Sequence, residues 1–215
     1  MEPLLLHVCC GPCSTAPLRL LDEKGSNLAA YFFNPNIVSR EEYDLRAETF
    51  RCFAESMGLE VVVPPWEPGE WSEAIAPYAG LFPLITGSAA IDDNRMRREQ
   101  RCRACYRFRF ERLAAEASAR AYKAISTTLS ISPYQFTDAI KEELTEAAQR
   151  HSVEPIFDDY RSFYSESVQK SRELGMYRQN FCGCLYSKEE AELERSARKA
   201  HKAPKSETLQ DVSYG

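Results

Sequence analysis

Short apolar runs alternate with segments of helical period along the first part of the chain. Residues 4–8, 28–33 and 60–64 are apolar runs of strand length, whereas residues 14–23 and 40–57 carry apolar side chains three and four positions apart. A strand–helix–strand–helix–strand order favours parallel strands joined by right-handed crossovers. The pattern therefore predicts a parallel β-sheet covered by helices.

Two serines are candidate N-caps for the first two helices. Ser14 opens the first helical segment, with Pro17 in its predicted first turn. Ser39 is followed three residues later by Glu42, which is the spacing of a capping box. We expect the two helices to begin at these serines.

The rest of the chain continues the same alternation. In order, it predicts a short helix at 72–79, a loop at 83–94, a helix at 95–120, a strand at 124–129, a helix at 136–150, a strand at 155–157, a helix at 160–174 and a charged helix at 188–202. We expect one three-layer α/β domain at 1–187 that carries a metal site. Residues 188–215 would be a charged C-terminal helix with a flexible tail.

Composition excludes some classes of protein. The chain has 215 residues, of which 44% are hydrophobic and 27% charged. It contains no apolar run of about 18 residues, so no membrane association is expected. Its N-terminus lacks the basic start of a signal peptide, which predicts a cytoplasmic protein. The net charge of −5 is not, taken over the whole chain, the pattern of a nucleic-acid binder.

Seven of the eight cysteines fall into three groups, and in a reducing cytosol such thiols are typical of metal binding or catalysis. Cys9, Cys10 and Cys13 follow the first predicted strand, where ligands of parallel sheets bind. Cys102 and Cys105 lie one turn apart on a predicted helix and share a face. Four of these five thiolates would suit either structural zinc or a cubane iron–sulfur cluster, and spacing alone leaves both open.

Other cysteines allow further interpretations. Residues 10–13 have the Cys-Gly-Pro-Cys sequence of a thioredoxin active site, so a thiol–disulfide oxidoreductase is an alternative. This alternative leaves Cys9 and the pair Cys102 and Cys105 unexplained. Cys182 and Cys184 could form a small, strained and therefore labile disulfide, and we interpret them as a redox pair. Cys52 lies beside an apolar helix stripe and is expected to be buried and inert.

A run of arginines surrounds Cys102 and Cys105. It comprises Arg95, Arg97, Arg98, Arg101, Arg103, Arg107, Arg109 and Arg112, interleaved with Tyr106, Phe108 and Phe110. Guanidinium groups suit phosphates, and aromatic rings stack on the bases of single-stranded RNA. The run predicts that a polyanion is brought to the cysteines.

Six motifs in order resemble the cobalamin-independent epoxyqueuosine reductases, the QueH family. They are HVCCGPCS at 7–14, FNPNI at 33–37, EYDLR at 42–46, CRACYRFR at 102–109, TTLSISPYQ at 127–135 and YRQNFCGC at 177–184. The resemblance covers the chain from His7 to about residue 187. It implies a fold similar to the PP-loop, adenine nucleotide alpha-hydrolase-like (HUP) type. The implied reaction is reduction of epoxyqueuosine to queuosine at the wobble position of tRNA, without cobalamin.

The resemblance also implies site residues and partners. Cys9, Cys10, Cys102 and Cys105 would hold a [4Fe-4S] cluster, and Cys182 and Cys184 would be the redox-active pair. Cys13 would bind an adjacent mononuclear iron, with Asp158 or Asp159 as alternative oxygen ligands. Arg97, Arg98, Arg101, Arg107 and Asn34 are candidate tRNA contacts, and Tyr134 or Tyr177 a candidate proton donor. An external electron donor is required.

The turn after the first strand has cysteines and a proline in place of the Ser-Gly-Gly-x-Asp-Ser phosphate loop of PP-loop ATPases. We therefore expect no use of ATP. A zinc-stabilised tRNA-binding protein remains the third alternative.

Overall fold

Five parallel strands form the centre of the protein. The structure, a computed structural model, describes residues 2–79 and 90–202. The strands are β1 (Leu4–His7), β2 (Leu28–Tyr31), β3 (Val61–Val62), β4 (Ala124–Thr127) and β5 (Glu154–Pro155), arranged in the order β3-β2-β1-β4-β5. The central strand β1 pairs with β2 and β4, and Leu4 lies opposite Leu28 and Ala124. The predicted parallel α/β sheet is confirmed.

Seven α-helices occur in the described ranges. They are α1 (Gly11–Glu23), α2 (Arg40–Ser56), α3 (Pro68–Ala79), α4 (Ala90–Ala119), α5 (Thr137–Arg150), α6 (Tyr164–Glu173) and α7 (Leu185–Lys202). Short 3-10 helices at Leu129–Ile131 and Tyr160–Phe163 follow β4 and precede α6. Nowhere in these ranges is a helix both long and apolar enough to cross a membrane.

Helices cover both faces of the sheet. Leu4 and Leu6 pack with apolar residues of α1 and α2, whereas Leu5 and Ile125 pack with residues of α4 and α5. Consecutive residues of β1 are therefore all buried, as is typical of a parallel strand with helices on both sides. This confirms the predicted three layers and explains why β1 is a continuous apolar run.

The N-terminus of α1 differs from the prediction. The helix begins at Gly11, and its N-cap is Cys10, whose Sγ accepts a hydrogen bond from the Cys13 backbone N–H at 3.3 Å. Ser14 lies inside the first turn, where its hydroxyl donates to the Gly11 carbonyl at 2.7 Å. The prediction that Ser14 caps the helix was wrong, because the thiol of Cys10 takes that role. Ser39 caps α2 as predicted, accepting from the Glu42 N–H at 3.3 Å.

The observed bounds of α4 and α7 also differ from the predicted ones. Residues 90–94, predicted as part of a loop, form the first turn of α4, where Asp93 and Arg97 make an i,i+4 ion pair at 3.0 Å. The remainder of that predicted loop, 83–89, lies outside the described residues, as does the predicted tail beyond 202. Helix α7 begins at Leu185, and Glu190 on it forms an ion pair with Arg101 of α4.

A cysteine-rich candidate metal and redox site

The first cysteine group lies where the central strands end. Cys9 and Cys10 follow β1 directly, and Thr128 follows the neighbouring strand β4. The Cys9 backbone N–H donates to Thr128 Oγ1 at 3.3 Å, and the Cys9 Sγ lies 3.5 Å from the same hydroxyl. The first turn of α1 then returns Cys13 to this point. The sheet topology therefore builds the group that the sequence predicted.

The thiols of Cys9, Cys10 and Cys13 are close enough to share one metal ion. Their Sγ atoms all lie within 4.8 Å of one another, and those of Cys9 and Cys10 are 3.9 Å apart. Hydrogen bonds from Cys10 and Cys13 hold the pKa of the Cys9 thiol well below its usual range. Burial raises the pKa of Cys10, and hydrogen bonds to Cys10 and Cys9 raise that of Cys13. The group therefore favours one thiolate, the form that binds soft metals.

The second group, Cys102 and Cys105, lies on consecutive turns of α4 and is half-buried. Trp71 of α3 donates its indole N–H to the Cys105 Sγ at 3.3 Å. Burial raises the pKa of both thiols, and the negative charge of Cys182 adds to the effect at each of them. The α4 cysteines therefore lie within electrostatic range of Cys182.

Arg109 lies within reach of both cysteine groups. Its side chain is 1% exposed and donates to the Asn34 amide oxygen at 2.5 Å. Its positive charge contributes to lowering the pKa of Cys9 and opposes the rise at Cys105. A buried cation at this position stabilises thiolate charge on either side. Asn34 is itself buried and donates to the Val8 carbonyl at 2.9 Å, so its predicted tRNA contact stays a prediction.

His7 completes this buried network in its neutral form. Burial is the main cause that lowers the pKa of His7 to about 3. Its Nε2 lies 3.0 Å from an Arg109 nitrogen, which can only donate, and 3.3 Å from the Phe33 carbonyl oxygen, which can only accept. The shorter contact favours Nε2 as the acceptor. The proton therefore lies on Nδ1, which donates to Thr127 Oγ1 at 3.0 Å. The network fixes the orientation of the arginine.

Arg46 anchors the loop that carries Cys182 and Cys184. It donates to the Cys182 carbonyl at 2.9 Å and lies over the Phe181 ring, 5.0 Å from its centroid. Glu42 holds Arg46 by an ion pair. Sequence reasoning gave Arg46 no role, although it lies three residues after Tyr43 on the predicted apolar stripe of α2. The sequence signal that could have revealed this role is the presence of an arginine on the buried face of a helix.

The same loop approaches the first cysteine group. The Gln179 side chain lies close enough to Cys10 to act on the pKa of its thiol, and the Gly183 carbonyl accepts from the Val38 N–H at 2.9 Å. Cys182 and Cys184 are free thiols in this structure, so the predicted disulfide is not formed. Burial raises the pKa of Cys184 to about 12. The pair is therefore a dithiol that lies within electrostatic range of Cys102 and Cys105.

Carboxylates of α3, α4, α5 and α7 pair with six of the eight arginines in the run on α4. The carboxylate partners are Asp93 for Arg97, Glu190 for Arg98 and Arg101, Glu143 for Arg103 and Arg107, and Glu70 for Arg112. Arg101 is only 4% exposed. The tRNA contacts expected of Arg97, Arg98, Arg101 and Arg107 stay predictions, and each would have to compete with one of these ion pairs.

The remaining candidates occupy different environments. Tyr134 is 69% exposed, whereas the Tyr177 hydroxyl donates to Glu42 at 2.8 Å. Asp158 pairs with Lys24 and Asp159 with Arg161. Cys52 is exposed, which corrects the expectation of a buried thiol, because the apolar stripe of α2 turns away from it.

The fold and this edge of the sheet define an α/β protein with a candidate metal site formed by Cys9, Cys10 and Cys13, whose thiols lie within 4.8 Å of one another. The sequence model of the family described as epoxyqueuosine reductase QueH matches residues 4–190. The chain belongs to this family of oxidoreductases.

Individual relatives agree with the family match. Epoxyqueuosine reductase QueH of Dehalococcoides mccartyi is 33% identical over 187 residues, covering 87% of this chain and 93% of the relative. Epoxyqueuosine reductase QueH of Thermotoga maritima is 31% identical over 210 residues, covering 94% of this chain and 100% of the relative. That of Acinetobacter baylyi is 29% identical, covering 86% and 80%.

Among solved structures, one described as a predicted subunit of tRNA methyltransferase from Methanocaldococcus jannaschii aligns with 82% of this chain and 91% of its own. The TM-score is 0.48 and the identity 13%.

Proposed function

We propose that this protein reduces the epoxide of epoxyqueuosine in tRNA to the alkene of queuosine. The overall reaction consumes two electrons and two protons, breaks both C–O bonds of the epoxide and releases its oxygen as water. An external donor supplies the electrons. The observation that carries the proposal is the group of three thiols, Cys9, Cys10 and Cys13, that lie within 4.8 Å of one another at the end of the sheet in a chain of the QueH family.

The donor set fits an iron–sulfur cluster. Such a cluster takes four cysteine thiolates, and we assign this role to Cys9, Cys10, Cys102 and Cys105. Cys13 remains for an adjacent mononuclear iron, since its Sγ lies within 4.8 Å of two of these thiols. When bound, the cluster would supply single electrons and the adjacent iron a Lewis acid.

The residues of the chain itself would prepare the site. The Arg109 cation, held by Asn34 and His7, offsets the negative charge of thiolates that are taken out of water. Cys182 and Cys184 can store two electrons as a dithiol and release them by forming a disulfide. The Tyr134 hydroxyl, exposed at the surface, is our candidate for delivering a proton.

The thioredoxin-like alternative fits the geometry less well. A thiol–disulfide oxidoreductase needs an accessible cysteine of low pKa at the helix N-terminus. Here that position is Cys10, which is 1% exposed, and burial raises its pKa. Reduced thiols suit the cytoplasm, where we expect the reaction to take place. We also propose that residues 1–187 act as the catalytic domain, with 188–215 as an appendage.

The test is an anaerobic assay with epoxyqueuosine-containing tRNA, a chemical reductant and analysis of the digested nucleosides. The wild-type protein should produce queuosine over many turnovers. Cys182→Ser should keep the metal centre but lose most of its turnover, whereas the matched variant Cys52→Ser should behave as wild type because that thiol is exposed on α2. An inactive, metal-loaded wild type would contradict the proposal. Full turnover by Cys182→Ser would remove the dithiol from it.

A further inference from the structure

A pocket opens to the surface directly beside the first cysteine group. Pro12 and Cys13 of α1, Tyr164 and Val168 of α6, and Arg178 and Gln179 of the following segment line it. It therefore offers a path from solvent to Cys13. The reacting part of a large substrate has to reach the thiols through such an opening.

Tyr164 lines this pocket, and the ring of Tyr134 packs against Tyr164. Tyr134 and Tyr164 form an edge-to-face pair with centroids 6.3 Å apart, and Tyr134 leaves 69% of its surface exposed. Arg98 donates to the Tyr134 carbonyl at 3.2 Å, which helps to hold the backbone that carries the ring. Exposed aromatic rings held in this way are the usual platform for unstacked bases of RNA.

Arg178 supplies an uncommitted cation at the same rim. It is exposed, and within residues 2–79 and 90–202 it forms no ion pair. The arginines of α4 differ, since six of them have carboxylate partners. An arginine without such a partner can bind a phosphate without first breaking an ion pair.

We propose that Tyr134, Tyr164 and Arg178 form the binding site for the anticodon nucleotide that carries the epoxide. The tyrosine rings stack on the splayed anticodon bases, Arg178 pairs with a neighbouring phosphate, and the epoxide-bearing ring enters the pocket towards Cys13. This inference rests on the proposed function and adds the site at which the RNA is held.

The test measures binding of an anticodon stem–loop RNA to the metal-loaded protein over a range of salt concentrations. Tyr134→Ala should weaken binding by roughly 5- to 150-fold, the range for loss of one base–aromatic stack. Tyr134→Phe should bind the RNA as tightly as wild type, because the ring remains and only the hydroxyl is lost. Arg178→Ala should weaken binding and lower the salt slope by about one.

Arg161→Ala is the matched control for Arg178→Ala. Arg161 is also exposed, but it pairs with Asp159, so its loss should leave affinity and salt slope unchanged. Equal iron and sulfide contents in all variants would show that each is folded.

The test separates failure of the proposed binding site from failure of the proposed function. If wild type binds and reduces the RNA while Tyr134→Ala and Arg178→Ala bind with unchanged affinity and slope, the inference is overturned and the proposed function stands. If metal-loaded wild type neither binds nor reduces the RNA, the proposed function fails and takes the inference with it.

Discussion

Replacing Gly183 with alanine should release the loop that carries Cys182 and Cys184. Gly183 has φ of +136°, a region that residues with a side chain rarely enter. An added Cβ would also lie 3.0 Å from the amide nitrogen of Asn36 and 3.1 Å from Cγ1 of Ile37. Both neighbours are buried and have little room to move.

The expected strain is as large as the interactions that dock the loop. The backbone contributes about 1–3 kcal/mol and the crowding about 1–3 kcal/mol. Against this, hydrogen bonds from Arg46 to Cys182 and from Val38 to Gly183 contribute about 0.5–1.5 kcal/mol each, or up to about 3 kcal/mol where the donor is charged. The stacking of Arg46 on Phe181 adds about 0.5–2 kcal/mol. We therefore expect the loop to leave its site in a large fraction of molecules.

Alkylation of Cys184 reports this release. Burial raises the pKa of Cys184 from 9.0 to about 12, so at pH 8 its thiolate is about a thousand times rarer than that of an exposed cysteine. In reduced protein, Gly183→Ala should speed alkylation of Cys184 by roughly tenfold or more. Peptide mass spectrometry would locate the label.

Gly175→Ala is the matched control. Gly175 also has a positive φ, +61°, but an added Cβ would meet no atom within 4 Å. It should lose about 1–2 kcal/mol of stability and leave alkylation of Cys184 unchanged. If Gly183→Ala is alkylated at the wild-type rate, or if both variants speed alkylation equally, the account of the docked loop is wrong.

Three further changes test the buried contacts by denaturant unfolding. Glu143→Gln should lose about 1–2 kcal/mol, because the fully buried carboxylate accepts two hydrogen bonds from Arg107, which is itself half-exposed; an unchanged midpoint would contradict this. Asn34→Leu should lose about 3 kcal/mol or more, since the buried Arg109 keeps only His7 as an acceptor and the Val8 carbonyl loses the Asn34 donor; a loss below about 1 kcal/mol would show that the arginine finds another partner. Cys52→Ser should change stability by less than about 0.5 kcal/mol, as expected for an exposed position, and a larger loss would mean that the thiol is packed.

The elements of the sheet were predictable because their signals are local. The run from Leu4 to Val8 is apolar throughout, and Ser39 with Glu42 marks the start of α2. Once the strands are parallel, their carboxyl ends must share one edge, so the position of the first cysteine group followed from topology. The N-cap of α1 did not follow, because a thiol cap at Cys10 is unusual and Ser14 matched the common pattern.

The side-chain partners could not be predicted, because they come from distant parts of the chain. The arginines of α4 predict a basic helix face. In the structure, four of them form ion pairs with Glu143 and Glu190, which lie on α5 and α7. Nothing local marks these carboxylates as partners. The burial of Arg109 and Arg46 also depends on contacts with β1, the turn after β2 and the Cys182 loop.

The most direct test concerns our proposal that Cys9, Cys10, Cys102 and Cys105 hold one iron–sulfur cluster. Iron, acid-labile sulfide and the absorption spectrum should be measured on anaerobically purified wild type, Cys102→Ser and Cys52→Ser. We predict about four sulfide and four to five iron per protein, the fifth iron being the one assigned to Cys13, and a broad shoulder near ~400 nm that dithionite bleaches. Cys52→Ser should match wild type, and Cys102→Ser should lose most of this signal. A colourless wild type that retains stoichiometric zinc after anaerobic reconstitution with iron and sulfide would contradict the claim.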